Sequence, residues 1–347
     1  MQVDDTPRRI PGLWFDDGNI VIQAGNSQFR VHRGILAARS PVFKDMLSFP
    51  QPLDSELVDG CPLVRLPDVE AEVAVFLRAI FDPDYFMPFP ANTQFDILQG
   101  CLRLSHKYEV EYLRLRALVH LSSRFRTTLS EWDSAYFEYS ERPSDRPPSQ
   151  VISWTFSDIT PEGMIAEDIA AIQLAREADA HWVLPAAFYR LSSYVAQRHV
   201  GLTEVINGTV RNGVPQNLSP TDRTAFLDGH TRQIIASPTN ILSFLSDPLD
   251  ITGCTAPDKC RRGRLLGAQL SRDHLGDCPS IPLNVWDEDS WAGFDEEICP
   301  TCSACLKPIH AAARQTFWDQ LPGIYSLPPW DELIRMKTEA IGLHAPF

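Results

Sequence analysis

Between Asn19 and Phe81 the hydrophobic pattern switches repeatedly between the strand period and the helix period, and that order limits the folds open to the chain more than any other feature. Asn19-Ile20-Val21-Ile22-Gln23 and Gln28-Phe29-Arg30-Val31 read as two short strands around Ala24-Gly25-Asn26-Ser27, a turn-forming set, and predict a β-hairpin. From Arg33 the spacing becomes helical through Ile35, Leu36 and Arg39. Ser40 then offers an N-cap hydroxyl and Pro41 a preset first helical residue, after which Val42, Phe43, Met46 and Leu47 share one face. Leu63-Val64-Arg65-Leu66 reads as a third strand, and Val73, Phe76, Leu77 and Ile80 predict a helix over 70–81. This mixed order predicts a small α+β unit.

Thr93 to Phe125 carries a strong helical repeat with a break near Val110, which fits two packed helices. The stretch around SERPSDRPPSQ (140–150) is rich in Ser, Pro and charge and reads as an exposed linker, placed at 126–160. Beyond it, Pro161 to Val195 is helical with a fresh start at Pro185, and Ser219-Pro220 announces another helix. No internal repeat and no sustained heptad stands out.

The charge balance, 31 Lys+Arg against 45 Asp+Glu in 347 residues for a net −14, disfavours nucleic acid as a partner. No stretch approaches the roughly 20 apolar residues that span a bilayer, and the N-terminus lacks the apolar core of a secretory signal, so an intracellular protein of cytoplasm or nucleus is expected. A phosphate loop, a nucleophile elbow, a Glu-flanked His pair and a recognisable carboxylate frame are all missing; Gly25, Gly34 and Gly60 are too scattered to cradle phosphate, and no enzyme is expected.

Six of the eight cysteines lie between Cys254 and Cys305, spaced as Cys254-x5-Cys260, then Cys278, then Cys299-x2-Cys302-x2-Cys305. A Cys-x-x-Cys turn brings two thiolates to one metal at about 2.3 Å, and a pair from elsewhere closes a tetrahedral structural zinc site. Two other readings stand beside it: reduced cysteines packing a small subdomain, and a redox pair at Cys299 and Cys302. Lys259, Arg261, Arg262 and Arg264 concentrate positive charge beside Cys260, but the acidic run Asp287 to Glu297 just before Cys299 is expected to offset it.

Gly18 to Gln23, Phe29-Arg30-Val31-His32-Arg33, Ile35 to Phe43, Met46-Leu47, Val64 to Asp68, Ile80-Phe81 and Leu104 to Tyr108 with Leu113 together resemble the BTB/POZ domain over about residues 14 to 125. Within that resemblance Phe29, His32, Arg33, Leu36, Ser40 and Phe43 carry the motif, and His32 is expected to pack at a strand-to-helix junction. Three further blocks, DDGNIVIQ at 16–23, LAREADAHWVLPAAFY at 174–189 and FWDQLPGIYSLPPWDEL at 317–333, resemble BTB proteins expanded in mushroom-forming (basidiomycete) fungi. That resemblance implies Cys254, Cys260, Cys299 and Cys302 as ligands of a structural zinc, with Cys278, Cys305 and His310 in reserve.

The BTB resemblance implies a homodimer formed through the domain, with Leu13, Trp14 and Phe15 in the N-terminal contact. Many BTB dimers carry an aspartate at the start of the first strand, where Asn19 stands here, so Arg33 lacks an ionic partner unless Asp16 or Asp17 reaches it. It also implies docking to a cullin-type ubiquitin ligase scaffold as a substrate adaptor; the hydrophobic-x-Glu element such members use is approached only by Leu53-Asp54-Ser55-Glu56. The expected architecture is an α+β BTB/POZ domain (14–125), a linker (126–160) and a mainly helical C-terminal region (161–347) holding the Cys-rich segment 254–305. The expected function is non-enzymatic protein–protein interaction, with a cullin adaptor, or a transcriptional regulator using the Cys-rich segment, as alternatives.

Overall fold

A computed structural model describes residues 7–49, 56–140, 154–155, 160–198, 201–246, 251–277 and 281–342. The chain opens with β1 (Arg8–Trp14), β2 (Ile20–Ala24) and β3 (Ser27–Val31), then α1 (Arg33–Arg39) and α2 (Pro41–Ser48), β4 (Leu57–Val58), β5 (Cys61–Leu66) and α3 (Glu70–Phe81). There follow β6 (Thr93–Gln94), α4 (Phe95–Lys107), α5 (Glu111–Arg124), α6 (Leu129–Ser140), β7 (Trp154–Thr155), α7 (Pro161–Glu177), α8 (Leu184–Arg198), α9 (Gly201–Asn207) and the hairpin β8 (Thr209–Arg211) and β9 (Val214–Gln216). The last third is α10 (Pro220–Ala236), a π turn at Ser237–Ile241, α11 (Ser243–Ser246), α12 (Pro257–Asp277), α13 (Glu288–Glu297), α14 (Pro300–Ile324) and α15 (Trp330–Ile341). Among the described residues, no helix is long and apolar enough to cross a membrane.

The sheet runs β1-β3-β2-β5-β4. β2 and β3 pair antiparallel with Ala24 opposite Ser27, so Gly25 and Asn26 form the turn, and Gly25 holds a φ of +50° that a residue without Cβ takes readily. Ser40 caps α2 by accepting from the Phe43 N–H at 2.9 Å, while its hydroxyl donates to the Tyr108 carbonyl. That bond fixes α2 against the end of α4, where Phe43, Phe76 and Tyr108 stack with centroids 4.6 to 6.5 Å apart. A mixed sheet with helices packed on it is the α+β unit the sequence predicts, and the rest of the chain is mainly helical.

The two helical hairpins α4–α5 and α7–α8 share one backbone plan at a constant offset of 70 residues, with no insertion between them. Tyr108 and Ala178 close the first helices with N–H bonds to Leu104 and Leu174. Glu109 and Asp179 both take the left-handed conformation, at φ +52° and +55°, and Val110 and Ala180 return N–H bonds of 2.8 Å to Ser105 and Ala175. The chain therefore contains the internal repeat that the sequence reading missed. α4 packs directly on α7.

Parts of the stretch read as a linker are built into this core. Trp154 has no exposed surface; its ring lies against Phe95, Phe125 and the Arg124 guanidinium, and its backbone pairs with Thr93. In α6, Trp132 is buried against Tyr189 and Trp318, and Asp133 takes both guanidinium nitrogens of Arg314 at 2.6 and 3.1 Å. The Ser/Pro centre at 141–150 lies outside the described residues. The buried apolar side chains of both halves form one continuous cluster.

Candidate functional site

The cysteines come together because two helices start at the same point. Cys260 sits in the first turn of α12; Cys299 is the N-cap of α14 and Cys302 lies in its first turn, while Cys254 is held in the turn before α12 by its N–H bond to Ile251. Gly263, three residues beyond Cys260, lets α12 come this close, since a Cβ there would lie 2.6 Å from the Glu297 carbonyl oxygen.

The four Sγ atoms of Cys254, Cys260, Cys299 and Cys302 all lie within 4.8 Å of one another. Cys254 is 3.4 Å from Cys302 and 3.9 Å from Cys299, sulfur to sulfur. A disulfide needs about 2.05 Å, so these are free thiols. Four sulfurs placed about 2.3 Å from one ion at tetrahedral angles stand about 3.8 Å apart, and the two separations bracket that value. The Cys299 N–H donates to Cys260 Sγ at 3.2 Å. N–H groups of Thr255 and Cys302 directed at Cys299 bring its thiol down to about 5. Burial pushes the thiols of Cys260 and Cys302 up. The positive ends of two helix dipoles face the group, which also favours thiolate. Donor set, spacing and N–H environment all fit a four-thiolate metal site.

The reserve ligands stand apart from that group. Cys305 is exposed, and Cys278 lies outside the described residues. His310 is eight residues along α14 from Cys302, about 12 Å at 1.5 Å per residue. It is buried against Phe244 and Trp291, and burial lowers its imidazole to about 4. In the basic stretch, Lys259 Nζ donates to the Glu296 backbone carbonyl at 2.7 Å, and Arg261 lies 3.4 Å from Asp258, a residue outside the acidic run at 287–297.

In the N-terminal domain, Phe29, Leu36, Ser40 and Phe43 are all buried. His32 is the N-cap of α1; its ring packs on Phe15 and Phe81, at centroid distances of 5.3 and 6.3 Å, with Nε2 3.5 Å from Asp17. Arg33 takes no carboxylate from Asp16 or Asp17. Its backbone N–H donates to Asn19 Oδ1 at 2.8 Å, and its guanidinium donates to the Leu47 carbonyl. Of the residues expected at a dimer contact, Leu13 is a correction: it is 1% exposed, inside the chain's own core. Trp14 is half-buried under the Arg9 guanidinium, 4.3 Å from its ring, and Phe15 is half-buried on His32 and Phe81. Leu53 to Ser55 lie outside the described residues.

This fold and its motif residues place the N-terminal unit among the domains that join proteins to one another. Residues 16–123 match the BTB/POZ domain family, and the N-terminal domain is a BTB/POZ domain. Comparison with curated proteins and with solved structures found no significant match.

Proposed function

We propose that the chain is a non-enzymatic interaction protein that pairs with a second copy through its BTB/POZ domain, and whose C-terminal region is stapled by one zinc ion on Cys254, Cys260, Cys299 and Cys302. The observation that supports this most is the convergence of those four thiols, from segments far apart in sequence, on separations that one tetrahedral ion would set. Bound there, zinc would supply cross-linking rather than catalysis, because four thiolates leave no open position for water or substrate. Thiolate binding would add a cross-link between the starts of α12 and α14 to the packing they already share with the rest of the core. The half-buried Trp14 and Phe15 are the side chains left to contribute to an N-terminal dimer contact.

The experiment is elemental analysis of protein prepared in metal-free buffer, with light scattering on the same sample. About one zinc per chain in the parent, and its loss with melting of the C-terminal helices in Cys302→Ser, is the expected result. A metal-free, fully folded parent would remove the staple. A monomer would remove BTB pairing while leaving the staple untouched.

A further inference from the structure

α12 leaves leucines in solvent. Leu265, Leu266 and Leu270 are 65%, 44% and 59% exposed. Leu266 and Leu270 are one turn apart and line the same wall of a groove of about 310 Å³ between α12 and α13, floored by Trp286. The opposite wall carries Asp289 and Glu297, both exposed. On the same helix Asp295 is paired with Lys307 at 2.7 Å, whereas Asp289 and Glu297 have no ion pair among the described residues.

We propose that this groove docks a short amphipathic segment of a partner protein, whose leucine-type side chains cover Leu266 and Leu270 and whose lysine or arginine side chains meet Asp289 and Glu297. Charge decides the class of occupant: the basic residues of α12 at 259–264 are not among the groove's lining, which carries Asp287, Asp289 and Glu297 and no lysine or arginine, so beside the uncovered leucine pair it favours basic apolar segments over acidic ones. The groove lies on the helices that carry Cys260 and follow into Cys299, so the cysteine cluster fixes the spacing of its walls. The surface is independent of BTB pairing, and it gives the C-terminal half its own partner.

The test uses the full chain and a fluorescein-labelled helical peptide of leucine and lysine, with a lysine–serine peptide of equal charge as control, read by fluorescence anisotropy. The parent is expected to bind the leucine–lysine peptide at least about tenfold more tightly than the control, a difference of about 1.4 kcal/mol. Leu266→Glu with Leu270→Glu, and separately Asp289→Lys with Glu297→Lys, are each expected to abolish that preference. All four positions are exposed, and unchanged thermal melting and metal content would show that the variants fold. Equal binding of both peptides, no binding by the parent, or unaltered binding by the folded variants would overturn the proposal. So would a fall in oligomeric state in the leucine variant, which would make the groove a contact between copies.

Discussion

The indole N–H of Trp182, in the turn between α7 and α8 of the second helical hairpin, donates to Ser122 Oγ in the first at 2.9 Å, and both side chains are buried. The serine at the equivalent place in the second hairpin, Ser192, pairs with His230 Nδ1 at 2.7 Å. The second helix of each hairpin thus carries, near its C-terminal end, a buried hydroxyl that meets a ring nitrogen from further along the chain. Trp182→Ala is expected to cost about 3–5 kcal/mol by opening a cavity, and Trp182→Phe about 1–3 kcal/mol by leaving Ser122 without its donor. Because the core is continuous, urea denaturation followed by circular dichroism should show one transition that moves as a whole. Two transitions, with only the later one displaced, would reject a shared core.

Gly263 should report on the cysteine cluster. A Cβ at 2.6 Å from the Glu297 carbonyl meets backbone and cannot be relieved by a side-chain rotation, so Gly263→Ala must push α12 away from the segment that leads into Cys299. The expected result is weaker metal retention, measured as faster zinc release to a chelating dye. Gly293→Ala, at a position with open space around its Cβ, should leave release unchanged.

Arg211 tests the connection between the domains. From the β8–β9 hairpin its guanidinium donates to Asp96 and, at 2.8 Å, to Gln99, both in α4, and lies 3.4 Å from Glu167 in α7. Glu167 is 1% exposed. Arg211→Met leaves that carboxylate without this partner, and a loss of about 3–5 kcal/mol is expected. If the melting temperature stays within a degree or so of the parent, the arginine is not holding the units together.

Acid should loosen both halves. Burial lowers His120 to about 4, against the opposing effect of its bond to the Met87 carbonyl, and lowers His310 to about 4. A histidine whose folded pKa lies below its unfolded value of about 6.5 takes up its proton only on unfolding, so stability falls as pH drops from about 6.5 to 4. Each group contributes a slope of up to about 1.4 kcal/mol per pH unit in that window. Chemical denaturation at a series of pH values should show His310→Phe with a shallower slope than the parent. An identical slope would show that this imidazole does not titrate on unfolding.

Local signals in the sequence were enough for the elements whose ends are set by their own residues. Ser40 and Ser219 cap the helices they announce, α3 spans the residues its period predicts, and the break near Val110 is the turn at Glu109. Long-range packing was not legible. Trp154 sits in a two-residue strand that exists because Thr93 and Gln94 pair with it, and two residues have no period to read. The repeated hairpin preserves a turn geometry more than a sequence: Leu104 and Leu174, Ala117 and Ala187, Leu121 and Leu191, and the serine pairs at 122–123 and 192–193 coincide, while most other positions differ. Comparison of the chain with itself at fixed offset, with Glu109 and Asp179 as the anchor, was the signal that could have found it. At the cluster, spacing pointed to the Cys-x-x-Cys turn and the family resemblance to the same four cysteines, and the fold brings those four thiols together while leaving Cys305 and His310 apart.

The copied hairpin also says how such a chain can grow. A helical hairpin added beside another needs no new core, only a face that its neighbour leaves uncovered, and the cost of each addition is a fresh uncovered face on the far side. Here α15 spans both copies, touching α5 of the first and the 181–183 turn of the second, with the Trp330 indole N–H donating to the Trp318 carbonyl and Lys337 to Thr127, while α10 and α14 also pack on α8. It acts as an end-stop laid over two courses of the same brickwork.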